Sequence, residues 1–215
     1  MKLPFLASFI ILIILFNIST RRISRKVEDN EEKFWQRELE SNNVRKKSLD
    51  DLEYVNIPVD QLPFGTYGDS QILQKAEEEL LALKDEKIVN FTGIPNTDLK
   101  LQYGTANITV LTQYDQNYTA MVIALQKWGQ ELYNQGRFED ATKVLEFSMK
   151  TRTDISGTYR LLIDMYKTKL GFNEAKITQK LEAMLPIAKN INALSRQQIV
   201  NMINNSLEPV EDIAP

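Results

Sequence analysis

A spacing of 34 residues in the second half of this chain constrains its fold more than any other feature. Five positions in one stretch return 34 residues later as large apolar residues or as alanine. The pairs are Leu125 with Tyr159, Trp128 with Leu162, Leu132 with Tyr166, Phe138 with Phe172, and Ala141 with Ala175. A repeat of this length is typical of helical hairpins that stack side by side. The spacing therefore predicts two consecutive hairpins, an architecture that favours partner binding over catalysis.

Helical periodicity supports these hairpins on both sides of two glycine turns. Apolar residues recur at three- and four-residue steps from Asn117 until the turn at Gly136, and they resume at Phe138. A second turn is expected at Gly171. Pro186 is expected to interrupt the helix that follows, because its ring removes a hydrogen-bond donor. The predicted helices are 117–134, 138–150, about 154–169, and a fourth through Ala175, Leu181 and Met184.

Two more helices flank the hairpins and are candidates for covering their ends. One is expected over residues 70–89 with Asp69 or Ser70 as its N-cap, and the other begins at Ser195 in a capping-box pattern. Residues 54–68 contain two prolines and are expected to be extended and packed along the domain. In residues 99–112, alternating apolar residues leave a small β-hairpin and an ordered loop as open alternatives.

The N-terminal segment is the most apolar stretch of the chain. Leu3 to Thr20 are 18 residues without a charge, which is the lower limit for a membrane-spanning helix, and Arg21 opens a basic stretch. No small-residue cleavage site follows, so a retained anchor is favoured over a cleaved signal peptide. The positive-inside rule then places the rest of the chain in the cytoplasm, with export of the domain as the alternative. The predicted divisions are a membrane anchor (1–20), a charged linker (21–53), a helical domain (54–207) and an acidic tail (208–215).

Composition excludes several classes of function. The chain has no Cys and no His, which removes thiolate nucleophiles, zinc-binding cysteines and the commonest general base. Its net charge is −3 without a long basic face, so nucleic acid is not an expected partner. No phosphate-binding glycine string is present, and the run Glu77-Glu78-Glu79 points to different sides of a helix. We therefore expect no enzyme activity, catalytic residue, cofactor, metal or small-molecule substrate, and we attribute four Asn-x-Ser/Thr strings to composition.

The first hairpin resembles a tetratricopeptide repeat, and the second does so less closely. The first unit carries the residues typical of that repeat, namely Leu125, Trp128-Gly129, Leu132-Tyr133, Gly136, Phe138, Ala141 and Ser148. Gly129 is expected to let the paired helix approach closely, with Ala141 and Ser148 accepting it. In the second unit, Ile163 replaces the small residue and Glu182 stands where alanine is expected.

The resemblance covers about residues 122–186. It implies an all-α fold in which helical hairpins form a right-handed stack. It also implies a partner-binding groove that is lined by the first helix of each unit. The groove candidates in this sequence are Gln126, Gln130, Tyr133, Asn134, Arg160, Asp164 and Lys167. Our leading hypothesis is a membrane-anchored scaffold or adaptor that binds a protein partner there. The alternative is a structural subunit of a membrane or envelope assembly whose groove is filled by its own residues 54–68. Ile57, Leu62 or Phe64 in the groove would favour that alternative.

Overall fold

The computed structural model of this protein describes Leu12, Phe16, Thr20 and residues 30–208. Within these residues all regular secondary structure is helical, apart from an isolated bridge between Tyr54 and Val89, so the predicted all-α class is confirmed. The helices are α1 (30–42), α2 (Gln71–Leu83), α3 (Asn96–Tyr103), α4 (Ile108–Asn134), α5 (Phe138–Lys150), α6 (Ser156–Asp164), α7 (Glu174–Lys189) and α8 (Arg196–Leu207). Short 3-10 turns lie at Val59–Gln61 and Thr105–Asn107, and a π-helical turn (Met165–Lys169) continues α6.

The predicted single-pass membrane anchor is not supported. Among the residues that the structure describes, no helix is long and apolar enough to cross a bilayer. Only Leu12, Phe16 and Thr20 of the predicted span belong to those residues, and the remainder of 3–20 lies outside them, as does the tail after Glu208. The prediction of a membrane location with a cytoplasmic domain is corrected accordingly, because no described helix supplies the roughly 20 apolar residues that a span requires.

The chain divides into two compact units. The first comprises the residues up to Ser48 together with Pro95–Ile108, and the second comprises Leu49–Ile94 and the residues from Thr109 onward. The first unit therefore contains α1 and α3, and the second contains α2, nearly all of α4, and α5 to α8. All seven groove candidates belong to the second unit.

In the first unit, the side chain of Glu38 joins α1 to α3. Its carboxylate accepts hydrogen bonds from Lys100 and from the hydroxyl of Thr97, the latter at 2.6 Å. These two hydrogen bonds lower the pKa of Glu38. Arg37 adds an ion pair with Asp98 at 2.8 Å. The predicted linker (21–53) thus contains a helix, over residues 30–42, that is bonded to another part of the chain.

Residues 99–112 form neither of the two structures that the alternating pattern left open. They are helical, because α3 begins directly after Pro95, α4 already begins at Ile108, and a 3-10 turn lies between them. Gly104 ends α3 with a φ of +92°, and a Cβ there would lie 2.3 Å from the carbonyl oxygen of Arg45. The prediction failed because the helix α3 is short and buries only Leu99 fully, so it carries almost no helical periodicity.

In the second unit, side-chain bonds join α4, α6 and α8 into one layer. The hydroxyl of Tyr133 donates to Asp164 at 2.6 Å, and the ammonium of Lys167 donates to the carbonyl of Ser206 at 3.2 Å. The helices α5 and α7 contact each other and pack behind this layer, α5 against α6 and α7 against α8. The core of the unit includes Trp128, Leu132, Val144, Leu145, Tyr159, Leu162 and Met184, all fully buried.

Residues 54–68, here called the strap, pack on α4 and on the start of α5. Ile57 and Leu62 are each 8% exposed and belong to the core. The ring of Phe64 lies 4.7 Å from that of Trp128, centroid to centroid. The guanidinium of Arg137 donates to the carbonyl and the hydroxyl of Thr66 at 2.6 and 2.5 Å. The strap therefore packs along the domain, as predicted, but it is not extended throughout, because Val59–Gln61 form a 3-10 turn and residues 62–65 form further turns.

The 34-residue spacing corresponds to equivalent burial for most pairs of residues. The first three pairs are at most 1% exposed at both members, and both phenylalanines of the fourth pack against the core. The fifth pair differs, since Ala141 is buried whereas Ala175 is exposed. As predicted, Gly129 permits a close helix approach, because a Cβ on it would lie 2.4 Å from Cδ2 of Leu145. The first hairpin is therefore tightly packed at this point.

The fifth pair fails because α7 begins 36 residues after the start of α5, and the π-helical turn accounts for one of the two additional residues. A π turn holds one residue more than the α-helical turn that it replaces. Consequently Gly171, with a φ of +62°, follows Gly136, with a φ of +74°, by 35 residues rather than 34. Ala141 is the fourth residue of α5, whereas Ala175 is the second residue of α7. The two alanines therefore lie on different faces of their helices.

Two local predictions in the last helices need correction. Pro186 does not interrupt α7, which continues to Lys189, and the fully buried Met184 and Ala188 on either side of the proline keep this stretch packed on the core. Ser195 does precede α8, but its hydroxyl donates to the carbonyl of Asp154 at 3.0 Å and makes no capping bond. Both outcomes depend on tertiary contacts that override a local signal. By contrast, Ser70 caps α2 as predicted, although this helix ends at Leu83.

Candidate binding groove

The seven groove candidates lie on adjoining helices of the layer formed by α4, α6 and α8. Four of them, Gln126, Gln130, Tyr133 and Asn134, lie on α4, whereas Arg160 and Asp164 lie on α6 and Lys167 lies in the π turn. None of the seven is fully buried. These seven side chains are here called the groove, and hydrogen bonds join two pairs of them, Tyr133 with Asp164 and Gln130 with Asn134.

Tyr133 and Asp164 are the pair that the fold brings together most directly. The phenolic hydroxyl donates to Oδ2 at 2.6 Å, and the same carboxylate accepts from the hydroxyl of Thr168 at 3.1 Å. The hydrogen bond to Asp164 raises the pKa of Tyr133. Tyr133 also contacts Phe138 edge to face, with ring centroids 5.4 Å apart. The tyrosine is thus held in place from both hairpins.

Gln126 is held by α6 in a way that the sequence analysis missed. Its Oε1 accepts from the hydroxyl of Thr158 at 2.7 Å. Its amide nitrogen would lie 3.0 Å from a Cβ on Gly157, so the absence of a side chain at that glycine leaves room for the amide. The pair Gly157-Thr158 at the start of α6 was the available signal, since a glycine inside a helix often marks a close approach.

The remaining candidates differ in their partners. Gln130 donates to Asn134 one turn along α4 at 3.0 Å. Lys167 reaches the backbone of Ser206 and so adds α8 to the groove, which the sequence analysis expected only to cover an end of the stack. Arg160 is exposed and forms no hydrogen bond or ion pair with the described residues. Its guanidinium is therefore available to a ligand.

The strap contacts residues other than the groove candidates. Besides Phe64 on Trp128 and Thr66 on Arg137, the backbone N–H of Gly65 donates to Oε2 of Glu77 at 2.6 Å. Burial raises the pKa of Glu77, while these backbone hydrogen bonds oppose the increase. Across the described chain, no hydrogen bond or ring contact joins the strap to a groove candidate. The segment proposed as a filler thus packs on another part of α4.

A half-buried polar cluster behind the groove connects three helical segments. Glu146 of α5 accepts from the hydroxyl of Tyr166 at 2.6 Å and from the ammonium of Lys180 at 2.8 Å. Burial would raise the pKa of Glu146, but the hydrogen bonds from Lys180 and Tyr166 outweigh it and lower the pKa. Burial and the same hydrogen bond raise the pKa of Tyr166. The cluster fixes the π turn to α5 and α7.

Two open cavities flank the π turn. One, of about 430 Å³, is lined by Arg137, Phe138, Asp140 and Lys169, and the ammonium of Lys169 lies 5.8 Å from the ring centroid of Phe138. The other, of about 320 Å³, is lined by residues that include Lys167, Ile177, Ser206 and Leu207. The second cavity adjoins the groove at Lys167, whereas the lining of the first includes none of the seven groove candidates. In the part of the chain that the structure describes, no three acidic side chains gather as a metal site would require.

Three of the four Asn-x-Ser/Thr strings are engaged inside the fold. The side-chain amides of Asn90, Asn107 and Asn117 each donate to a backbone carbonyl. Asn107 and Asn117 are also buried, at 1% and 6% exposure. Asn204 is the exposed member and lies on α8. These amides stabilise loops and helix junctions, which gives them a structural role.

Comparison of the chain with protein-family models, curated proteins and solved structures gives no match. The geometry of the groove is therefore the starting point for function. It offers amide side chains, a fixed tyrosine and exposed cations on a layer of packed helices. This combination is suited to binding a polypeptide surface.

Proposed function

We propose that this chain is a protein-interaction module that binds a segment of a partner protein in the groove. The observation that carries the proposal is the position of seven polar side chains, none fully buried, on adjoining helices whose other faces form the core. Side chains with both donors and acceptors can bond to a polypeptide backbone and to its polar side chains. The proposed role is that of a scaffold or adaptor.

Rigidity of the groove supports this role. Tyr133 is bonded to Asp164, Gln126 is bonded to Thr158, and Lys167 is bonded to α8. A surface that is already ordered loses less conformational entropy when a partner binds. The resemblance of residues 122–186 to tetratricopeptide repeats agrees with the proposal, since stacked helical hairpins use such extended surfaces for binding.

The proposal includes no catalytic step. The chain has neither His nor Cys, so a reaction would depend on carboxylates, hydroxyls or lysines alone. The carboxylate in the groove, that of Asp164, is already occupied by two hydroxyl donors. Two acidic groups converging on a bound substrate would be the feature that argues for an enzyme.

A structural subunit with fixed packing is the second candidate. The burial of Ile57 and Leu62 favours it, because the chain does cover part of its own helical surface. However, Phe64 lies on Trp128 and Thr66 on Arg137, away from the seven groove candidates. The interaction module therefore has the stronger support.

Site-specific photocrosslinking tests the proposed function. A photoreactive phenylalanine analogue replaces Gln130 in the groove or, as the matched control, Glu182 on the exposed side of α7. The full chain is then irradiated in extracts of its source cells. We expect a discrete crosslinked protein from position 130 and none from position 182. The same product from both positions, or none from position 130, would refute the groove as the binding surface.

Gln130→Ala provides the quantitative companion test. The side chain bonds only to Asn134 at the surface, so the free energy of unfolding should change by less than about 0.5 kcal/mol. Affinity for the crosslinked partner should fall, because a donor and an acceptor are lost from the groove. Isothermal titration calorimetry with the purified partner measures this change. Unaltered affinity would place the partner elsewhere.

A further inference from the structure

We infer that the partner segment bound in the groove is acidic, an inference that rests on the proposed function. The helices α4, α6 with its π turn, and α8 carry five cations and three carboxylates, although the whole chain has a net charge of −3. The cations are Lys127, Arg160, Lys167, Lys169 and Arg196, and the carboxylates are Asp115, Glu131 and Asp164. Two of these cations, Arg160 and Lys167, are groove candidates, and Asp164 is the one carboxylate among those candidates. The other three cations line separate cavities, Lys127 beside α2, Lys169 beside the start of α5, and Arg196 beside residues 92–93. The charge of the groove itself therefore depends on Arg160 and Lys167.

Each of the three carboxylates is occupied by donors of the chain itself. Asp115 accepts from the backbone N–H of Phe91 at 3.1 Å. Glu131 accepts from Gln135 at 2.9 Å and from Ser70 at 3.4 Å. Asp164 accepts from Tyr133 and Thr168. All of these donors are neutral, so the carboxylates leave the five cations unpaired.

None of the five cations forms an ion pair with residues 30–208. Lys167 donates to a backbone carbonyl, and Lys169 lies over the ring of Phe138. In the layer behind, two of the five lysines are paired, Lys180 with Glu146 at 2.8 Å and Lys143 with Asp140 at 3.2 Å. Exposed cations that lack internal partners attract acidic ligands and raise the rate at which they associate.

The spacing of two of these cations defines the ligand further. Arg160 and Lys167 are seven residues apart along α6 and its π turn, which corresponds to roughly 10 Å at 1.5 Å per residue. A segment in the polyproline II conformation covers that distance in about three residues at about 3.1 Å per residue, and its side chains return to the same face at every third residue. The expected segment therefore carries acidic side chains about three positions apart, with its backbone beside the amides of Gln126 and Gln130. We favour a polypeptide over nucleic acid because the side-chain amides of Gln126 and Gln130 lie beside these cations on α4 and can form hydrogen bonds with a peptide backbone.

Selection of peptides on the full chain tests the inference. A phage-displayed library of random dodecapeptides is selected on the immobilised protein, and the recovered peptides are titrated by fluorescence anisotropy. The variants are Arg160→Glu/Lys167→Glu and, as the matched control in other helices, Lys75→Glu/Lys189→Glu. We expect recovered peptides enriched in Asp and Glu over the starting library. Affinity should fall about tenfold or more for the groove variant, and by less than about twofold for the control.

Folding and salt provide two checks on the same titration. Arg160→Glu alone is the second variant, because Arg160 has no bond to the described residues that its replacement could break. Circular dichroism should show unchanged helicity and melting for it, while the recovered peptides still bind more weakly. Raising the salt concentration should weaken binding to the wild type, because ions screen exposed charges.

Each other outcome gives a distinct answer. The recovered peptides bind in the groove if Gln130→Ala weakens their binding. If such peptides lack acidic residues, or if Arg160→Glu/Lys167→Glu does not change their affinity, the acidic partner is overturned and the proposed interaction module is still supported. Failure to recover any peptide, together with no crosslink from position 130, would overturn both. Binding of a dT20 oligonucleotide that Arg160→Glu/Lys167→Glu abolishes would assign the groove to nucleic acid and overturn the inference.

Discussion

The two hairpins share one sequence period, yet they pack in different ways. In the first, α4 and α5 lie so close that a Cβ on Gly129 would be 2.4 Å from Leu145. In the second, Ile163 stands at the position equivalent to Gly129, and α7 makes most of its contacts with α8 instead of α6. The distance between packed helices depends on the side chains at the contact. The tight first hairpin thus has its smallest residue at this position, whereas the second hairpin has a large one there and its last helix packs mainly on α8.

The comparison also shows which helices the repeat period describes. The matched pairs of α4 and α6, such as Trp128 with Leu162, are equally buried. The period fails in the helices behind them, where Ala141 is buried and Ala175 is exposed. Because the π turn shifts the entry into α7, the second hairpin keeps the groove layer and changes the layer behind it. The surface proposed to bind a partner is thus the part that the two hairpins have in common.

Glutamate at the two alanines tests this difference with the largest expected effect. Ala141→Glu would bury a charge between α5 and the core, and we expect the free energy of unfolding to fall by more than about 3 kcal/mol. Ala175→Glu places the same side chain in solvent, with an expected change below about 0.5 kcal/mol. Urea denaturation followed by circular dichroism measures both. Equal losses would mean that α7 packs as α5 does.

Gly129→Leu tests the close approach in the first hairpin. The new side chain would overlap Leu145, and we expect a loss of about 1–3 kcal/mol in the free energy of unfolding from overpacking. Ile163→Leu is the control at the equivalent position of the second hairpin, where a side chain of equal volume is already accommodated, and should cost less than about 1.5 kcal/mol. An unchanged melting curve for Gly129→Leu would disprove the helix register described for the first hairpin.

Sequence reasoning succeeded where the structure depends on local periodicity. The bounds of α5, Phe138 and Lys150, were predicted to the residue, because a glycine turn precedes a strongly amphipathic helix. Prediction failed at Pro186 and Ser195, whose roles depend on tertiary contacts. In the groove, the candidates could be assigned to α4 and α6, but their partners could not. Lys167 meets Ser206 across 39 residues of sequence through a π turn that no local pattern announces.

The cluster around Glu146 tests how the hairpins are joined. Glu146→Gln should lower the free energy of unfolding at pH 7 by about 1–2 kcal/mol, because two hydrogen bonds to a charged group are weakened. The folded state lowers the pKa of Glu146, so its contribution is present above the ordinary carboxyl value of about 4.3 and is lost as the pH falls through the folded-state pKa. Denaturation in urea at pH 7 and pH 3 should therefore show the difference from wild type shrinking at the lower pH. Glu182→Gln, on the exposed side of α7, controls for the loss of one negative charge.

Substitution in the turn between the hairpins gives the smallest expected change in the free energy of unfolding. The sign of that change shows whether glycine suits this turn. The turns inside the hairpins use Gly136 and Gly171 at positive φ, whereas the turn between them places Arg152 at a φ of +64°. A side chain in this left-handed conformation is strained by about 1 kcal/mol, and the exposed ion pair of Arg152 with Glu53 offsets little of it. Arg152→Gly should therefore raise the free energy of unfolding by about 0.5–1 kcal/mol in urea denaturation.

Glu53→Gln removes the ion pair without altering the backbone and should change stability by less than about 0.5 kcal/mol. If Arg152→Gly destabilises the protein more than Glu53→Gln does, the arginine stabilises the turn between the hairpins, and glycine suits only the turns inside them.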